Sequence, residues 1–194
     1  MAAASAFVPF GPRFEEALLY ATRVHALQWR KGTTVPYFTH LLAVAALVGE
    51  GGGGEDEVIA ALLHDAVEDQ GGAARLADIH TRFGDAVAAI VAGCTAEEFP
   101  TWRATKEAYV ARLATATPAV LRVSSADKLH NARAILADLR RQGDALWAIF
   151  GGGKAGTLWY YRALVAAYGR RTDGPPIDEL ARVVAAIEAL AGAG

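Results

Sequence analysis

The chain has 194 residues, of which 53% are hydrophobic and 21% charged, with a formal net charge of −2. That length and apolar share suit one globular domain with a substantial core, and the charge excludes a basic footprint for duplex nucleic acid. Cys94 is the only cysteine, which excludes an intramolecular disulfide and a cysteine-rich zinc site and fits a reducing, cytoplasmic setting.

Taken in order, almost every segment has helical spacing and none alternates with period two. Met1 to Phe10 has neither a basic n-region nor a long apolar core, so it does not read as a signal peptide. Later apolar runs are broken well short of about 18 residues, which predicts no membrane span. The spacing predicts a first helix from Arg13 to Arg30, with Phe14, Leu18, Ala21 and His25 on one stripe. Gly32 to Pro36 breaks it, and a second helix from Thr39 to Val48 carries His40 in its first turn. Glu55, Asp56 and Glu57 suit the positive end of the next helix, which carries His64 and is stopped by Gly71-Gly72. Shorter helices are predicted over Ala74 to Phe83 and Asp85 to Cys94, the second with Asp85 as N-cap. Thr101 caps a helix through Ala114, and Pro118 opens a long one to Arg141. Asp144 to Phe150, Lys154 to Tyr168 and Ile177 to Ala191 complete the chain. No repeat and no separating linker is visible, so the expectation is a single all-α bundle of about ten helices.

The chemistry concentrates in two places. Residues 58–67 are apolar except for His64 and Asp65, and Glu68 and Asp69 follow at once. An unpaired buried charge is costly, so this stretch needs compensation. It is met either by a plain buried His–Asp pair beside a solvated helix end or by a divalent metal. In the long helix, Asp127 and Asn131 interrupt an apolar run four residues apart, on one face. His40, His64, Asp65 and Asp127 would together suit a divalent transition ion with positions left for water. Such an ion activates water toward a phosphoryl group, and Glu68 and Asp69 are placed to orient or deprotonate that water. His130 lies one position off the Asp127 face and reads as a surface or outlying histidine; His25 and His80 read as packing or surface residues. Gly151-Gly152-Gly153-Lys154-Ala155-Gly156-Thr157 has the wrong spacing, and no preceding strand, for a nucleotide-binding P-loop.

These motifs occur together in one order. His25-x-x-Gln28-x-Arg30-Lys31-Gly32, Pro36-Tyr37-x-x-His40, HDAVED at 64–69, FGDAVAAIVAGCT at 83–95 and ADKLHNAR at 126–133 resemble the hydrolase domain of the RelA/SpoT family. Those are HD-superfamily enzymes that remove the 3′-pyrophosphate from ppGpp and pppGpp. The resemblance runs from about residue 14 to residue 141, while Gly143-Asp144-x-x-Trp147 and Trp159-Tyr160-Tyr161-Arg162 look more like stand-alone small HD hydrolases. It implies one Mn²⁺ per chain on His40, His64, Asp65 and Asp127, and a catalytic acidic pair in Glu68 and Asp69. It also implies nucleotide contacts from Arg30, Lys31 and Asn131, with Lys106 as a further phosphate contact. Leu41 stands where the family commonly has proline, and Gln70 where threonine often follows Glu-Asp. The turn after Lys31 is one residue shorter than in the long enzymes, which bears on substrate identity rather than on the ligands.

The leading expectation is a metal-dependent, cytoplasmic 3′-pyrophosphohydrolase of guanosine alarmones with a small nucleotide as its partner. The alternatives are hydrolysis of an adenosine alarmone or another phosphorylated nucleotide, and a catalytically silent nucleotide-binding module.

Overall fold

Burial on every side is what the run Val58–Leu63 demands, and the fold is arranged to supply it. The computed structural model describes residues 10–171 and 174–192; most of the amino-terminal segment read above for a signal peptide lies outside them. Helix α3 (Glu55–Leu63) is surrounded by α1 (Pro12–Val24), α2 (Phe38–Glu50), α5 (Gly72–Cys94) and α7 (Pro118–Gln142). All six residues from Val58 to Leu63 are buried. Its acidic first turn is tied outward, with Glu57 accepting from Arg122 at 3.0 Å and Glu55 from the Gly11 amide at 2.6 Å.

The longest helix, α7, is shared by two cores. Val120, Val123 and Ala126 face the cluster built by α1, α2, α3 and α5. Leu129, Ala132, Ile135 and Leu139 face a second cluster with α6 (Trp102–Arg112), α8 (Gly153–Gly169) and α9 (Pro175–Gly192). A helix packed on both sides has little freedom to shift, and α7 carries Asp127 between the two cores. Among the described residues there are nine α-helices, one 3₁₀ segment (Gly143–Ile149) and no β-strand, so the all-α expectation holds. None of these helices is long and apolar enough to cross a membrane.

Several predicted boundaries move. The first helix ends at Val24 instead of Arg30. Its buried stripe stops at His25, and Leu27 and Trp29 beyond it are exposed, so no packing sustains another turn. The chain instead doubles back, the Arg30 amide donating to the Val35 carbonyl at 2.8 Å and the Tyr37 amide to Gln28 at 2.9 Å. The helix predicted through His64 to Gly71 breaks after Leu63 and resumes as the single turn α4 (Ala66–Asp69). The two helices predicted over residues 74–94 are present: α5 is two helical stretches meeting at a kink at Gly84, whose φ of 85° suits glycine. Gly84 therefore takes the non-helical place expected of Asp85, which does not cap and faces His80. The segment at Asp144 is 3₁₀, not α. Thr101 caps α6 as expected, its hydroxyl accepting from the Ala104 amide at 3.1 Å.

The glycines of the 151–156 segment have a packing role. A Cβ at Gly152 would lie 2.5 Å from the Trp102 ring, and at Gly156 3.0 Å from it, so these positions admit the indole. A tighter approach joins α5 to α7. A Cβ at Gly93 would sit 2.5 Å from Val120 Cγ2, so this glycine lets Cys94 and Ala96 come up beside Asp127. We expect Gly93→Ala to destabilise the protein by about 1–3 kcal/mol through overpacking, despite alanine's better helix propensity. Urea unfolding checks this, and adding Val120→Ala should recover part of the loss because the two sites are coupled.

Candidate metal centre and substrate groove

The break after Leu63 is what builds the site. On a continuous helix, adjacent residues point about 100° apart. The turn at His64 and Asp65 instead brings His64 Nε2 to 3.1 Å from Asp65 Oδ2. His40, from the first turn of α2, places its Nε2 3.5 Å from the same oxygen and 3.2 Å from Asp127 Oδ1. His64 Nε2 lies 3.7 Å from Asp127 Oδ1. One ligand atom each of His40, His64 and Asp65 falls within 4.8 Å of the others, a group that can hold a metal ion.

The hydrogen bonds around this group fix which atoms face inward. His64 Nδ1 donates to the Ala61 carbonyl at 2.8 Å, which leaves the lone pair on Nε2. His40 Nδ1 lies 2.7 Å from His130 Nδ1, so His130 is an outlying partner of a candidate ligand imidazole. Burial pushes the His130 pKa down to about 4, which suits a neutral acceptor. The Nε2 atoms of His40 and His64 are buried and make no hydrogen bond. Two imidazole lone pairs facing two carboxylates are mutually repulsive unless a cation lies among them. A divalent ion fits that donor set, with nitrogen and oxygen ligands of the usual types.

Charge balance agrees. Burial acts to raise the carboxyls of Asp65 and Asp127. Where a proton supplies the cation it sits on His64, whose pKa, against burial, both carboxylates raise well above the ordinary value. That imidazolium holds Asp65 well below the usual range, while Lys128, with it, does so for Asp127. Lys128 Nζ contacts Asp127 Oδ2 at 2.5 Å, and Asn131 Nδ2 contacts Asp127 Oδ1 at 2.5 Å. Tyr37 donates to Asp65 Oδ2 at 2.5 Å, with its phenol pKa raised by burial and by that carboxylate. Each carboxylate is thus oriented by a neighbour.

Beside the cluster is a polar cavity of about 170 Å³, into which Glu68, Asp69, Lys106, Lys128, Asn131 and Tyr160 project along with Asp65 and Asp127. It adjoins a groove of about 1320 Å³ along α7, lined by Arg30, Lys31, Lys106, Lys128, Asn131 and an aromatic wall including Trp102. Arg30 Nη2 donates to Asn131 Oδ1 at 2.7 Å and its guanidinium lies over Tyr37, 5.8 Å from the ring centre. All ten residues singled out in the sequence therefore lie at the cluster, the cavity or the groove. Lys31 reaches only the groove. Sequence reasoning missed Tyr37, Lys128 and Tyr160 as site residues. Tyr37 had a signal, standing one helical turn before His40; Lys128 had none beyond adjacency to Asp127.

An all-α fold that gathers two buried imidazoles and two carboxylates under an open cationic groove defines a helical metal-site domain of the His–Asp type. A family model described as HD domain matches residues 17–158, and the chain belongs to that family. It is 37% identical over 123 residues to a probable GTP pyrophosphokinase of Mycobacterium leprae (strain TN), covering 61% of this chain and 15% of that protein. It is 33% identical over 124 residues to a guanosine-3′,5′-bis(diphosphate) 3′-pyrophosphohydrolase of Aquifex aeolicus (strain VF5), covering 62% and 17%. The chain thus spans less than a fifth of either relative. A solved metazoan ortholog of SpoT, described as hydrolysing ppGpp, superposes with a TM-score of 0.75 at 25% identity, covering 92% of this chain and 96% of that one.

Removal of one anionic donor should be felt at once. We expect Asp65→Asn to weaken divalent-metal affinity by at least tenfold, and Tyr37→Phe to weaken it by about tenfold through loss of the Asp65 hydrogen bond. Calorimetric titration of the metal-stripped proteins measures both; equal affinity in wild type and Asp65→Asn would remove Asp65 from the ligand set.

Proposed function

We propose that this chain, as one HD domain over residues 1–194, is a metal-dependent phosphohydrolase. It removes the 3′-pyrophosphate of guanosine alarmones, converting ppGpp or pppGpp to GDP or GTP and pyrophosphate. The observation that carries the reading is the pair of unpartnered Nε2 atoms of His40 and His64 facing Asp65 and Asp127, open to a cavity lined by acidic and cationic side chains. The names of the Aquifex and metazoan proteins support the substrate class. We take manganese as the ion on the strength of the family resemblance, and the cytosol as the setting.

His40, His64, Asp65 and Asp127 would hold the ion, which supplies Lewis-acid stabilisation of the phosphoryl charge and lowers the pKa of water. The chain's own groups account for the rest. Arg30 and Lys31 approach the nucleotide from the groove, the guanidinium offering paired donors or a stacking plane. Asn131 is within reach of a ribose hydroxyl or phosphate oxygen beside Asp127. Lys106 and Lys128 face the cavity and balance charge on the pyrophosphate as the bond between ribose O3′ and phosphorus breaks. Water adds to that phosphorus, Glu68 takes its proton, and the leaving O3′ takes one from Asp69. Asp69 is itself exposed, but partial desolvation raises its carboxyl, which suits the acid role. Glu68 is exposed at the cavity rim, with its carboxylate accepting from the Ala96 amide at 3.2 Å. Cys94 takes no part, since burial pushes its thiol up to about 12.

Two measurements test this. Chromatography should find GDP and pyrophosphate from ppGpp with the 5′-diphosphate intact, and GDP itself inert; release of 5′-phosphate, or faster cleavage of an adenosine alarmone, would overturn the guanosine assignment. Glu68→Gln should retain the metal by elemental analysis yet lose about 10²–10⁴-fold in turnover, the scale of general acid–base assistance. Unchanged turnover in that variant would remove Glu68 from the mechanism.

A further inference from the structure

A short relay of polar side chains runs behind Asp69. Gln28 Nε2 donates to Asp69 Oδ2 at 2.7 Å. Gln28 Oε1 receives Gln70 Nε2 at 2.7 Å and faces His25 Nδ1 at 2.6 Å. An amide oxygen only accepts, so the proton is on His25 Nδ1 and the lone pair is on Nε2. His25 is 2% exposed, its ring stacks on Tyr37 with centres 5.4 Å apart, and its Nε2 is buried without a partner. A proton on that nitrogen would be a buried donor with no acceptor, so His25 is held in one tautomer.

That tautomer sets the amide. With Nδ1–H facing it, Gln28 must turn its oxygen to His25 and its nitrogen to Asp69. The reverse orientation would set an amide oxygen against a carboxylate and two N–H groups against each other. The donated bond occupies Asp69 Oδ2 and leaves Oδ1 as the oxygen free to carry a proton. The same imidazole stacks on Tyr37, which orients Asp65, so one buried ring backs both carboxylates.

We propose that Gln28, oriented by His25, is a positioning residue that fixes the Asp69 carboxyl for proton transfer to the leaving oxygen. This rests on the phosphohydrolase reading of the site. Gln28 lines neither the cavity nor the groove, and acts only through Asp69.

The test is a double-mutant cycle on the metal-loaded enzyme with ppGpp, paired with NMR of the Gln28 side-chain amide. Gln28→Met, which keeps the volume, should lower kcat by about 10- to 100-fold with KM and metal content unchanged. Added to Asp69→Ala it should cost nothing further, because both changes remove one function. In the nitrogen–proton spectrum one Gln28 amide proton should lie downfield in wild type and return toward the free-amide position in Asp69→Ala and in His25→Phe. Losses that multiply in the double variant, or an amide signal indifferent to Asp69, overturn the proposal. A wild type that cleaves no 3′-pyrophosphorylated nucleotide overturns the hydrolase reading itself, an outcome distinct from multiplying losses in an active enzyme.

Discussion

The structure depends on a repulsion that protein atoms alone leave unresolved. Four side chains from α2, α7 and the turn between α3 and α4 point nitrogen and oxygen lone pairs at one another in a largely buried space. A folded chain tolerates that only where a cation, as a proton or as a metal ion, lies among them. The surroundings are arranged to keep it so. The Ala61 carbonyl and His130 engage the far nitrogens of the two imidazoles, while Tyr37, Asn131 and Lys128 engage the carboxylates. Ala61, His130 and Lys128 engage the far atoms, while Tyr37 and Asn131 donate to the inward oxygens themselves, each of which keeps a second lone pair for a cation.

Holding such a site takes rigidity, and the packing provides it. The residues before His64 are buried on every side, and α7 is wedged between two apolar clusters, so neither carrier can rotate without opening a core. One side of the groove, facing α7, is made of less constrained parts. Arg30, Lys31 and the exposed turn to Pro36 sit outside both cores, beside an aromatic wall whose Trp102 rests on glycines of the 151–156 segment. The candidate metal centre is therefore set by helices and the turn between α3 and α4, whereas the groove's shape depends in part on exposed turns.

This division explains what the sequence discloses. The long α7, its proline start and the Thr101 cap follow from local rules, and the helical period is plain wherever a helix buries one face. The metal-type residues were legible because a histidine and three acids in an apolar run are locally inconsistent, which points to function. The failures lie where tertiary structure decides. Nothing local tells a helix through Arg30 from one ending at Val24, since Leu27 and Trp29 could have been core residues and are not. The interruption at His64 and Asp65 is signalled by no glycine or proline. Lys128 follows Asp127 directly, and neighbours along a helix do not normally face each other. Its contact depends on a flexible stem bending back to the adjacent carboxylate in a buried place. Gln28 was visible as part of a motif, but its partner Asp69 stands on another element.

Lys128 also ties the metal centre to the groove. Its ammonium is held protonated well above the usual range, chiefly by Asp127 against the opposing effect of burial. With a proton on His64, whose pKa, against burial, Asp65 and Asp127 raise well above the ordinary value, two carboxylates and two cations balance. In that state the centre would add no pull on the phosphates that the proposed function assigns to Arg30, Lys31 and Lys106. A divalent cation in place of that proton would leave a single positive charge, and every cation lining the cavity would then act in the same direction. Metal and anion binding are thereby linked through charge alone, each strengthening the other by the same factor. The buried lysine sets how far the balance tips: without it the loaded centre would be neutral, and the pull on an anionic substrate would fall to the rim residues, where solvent screens it.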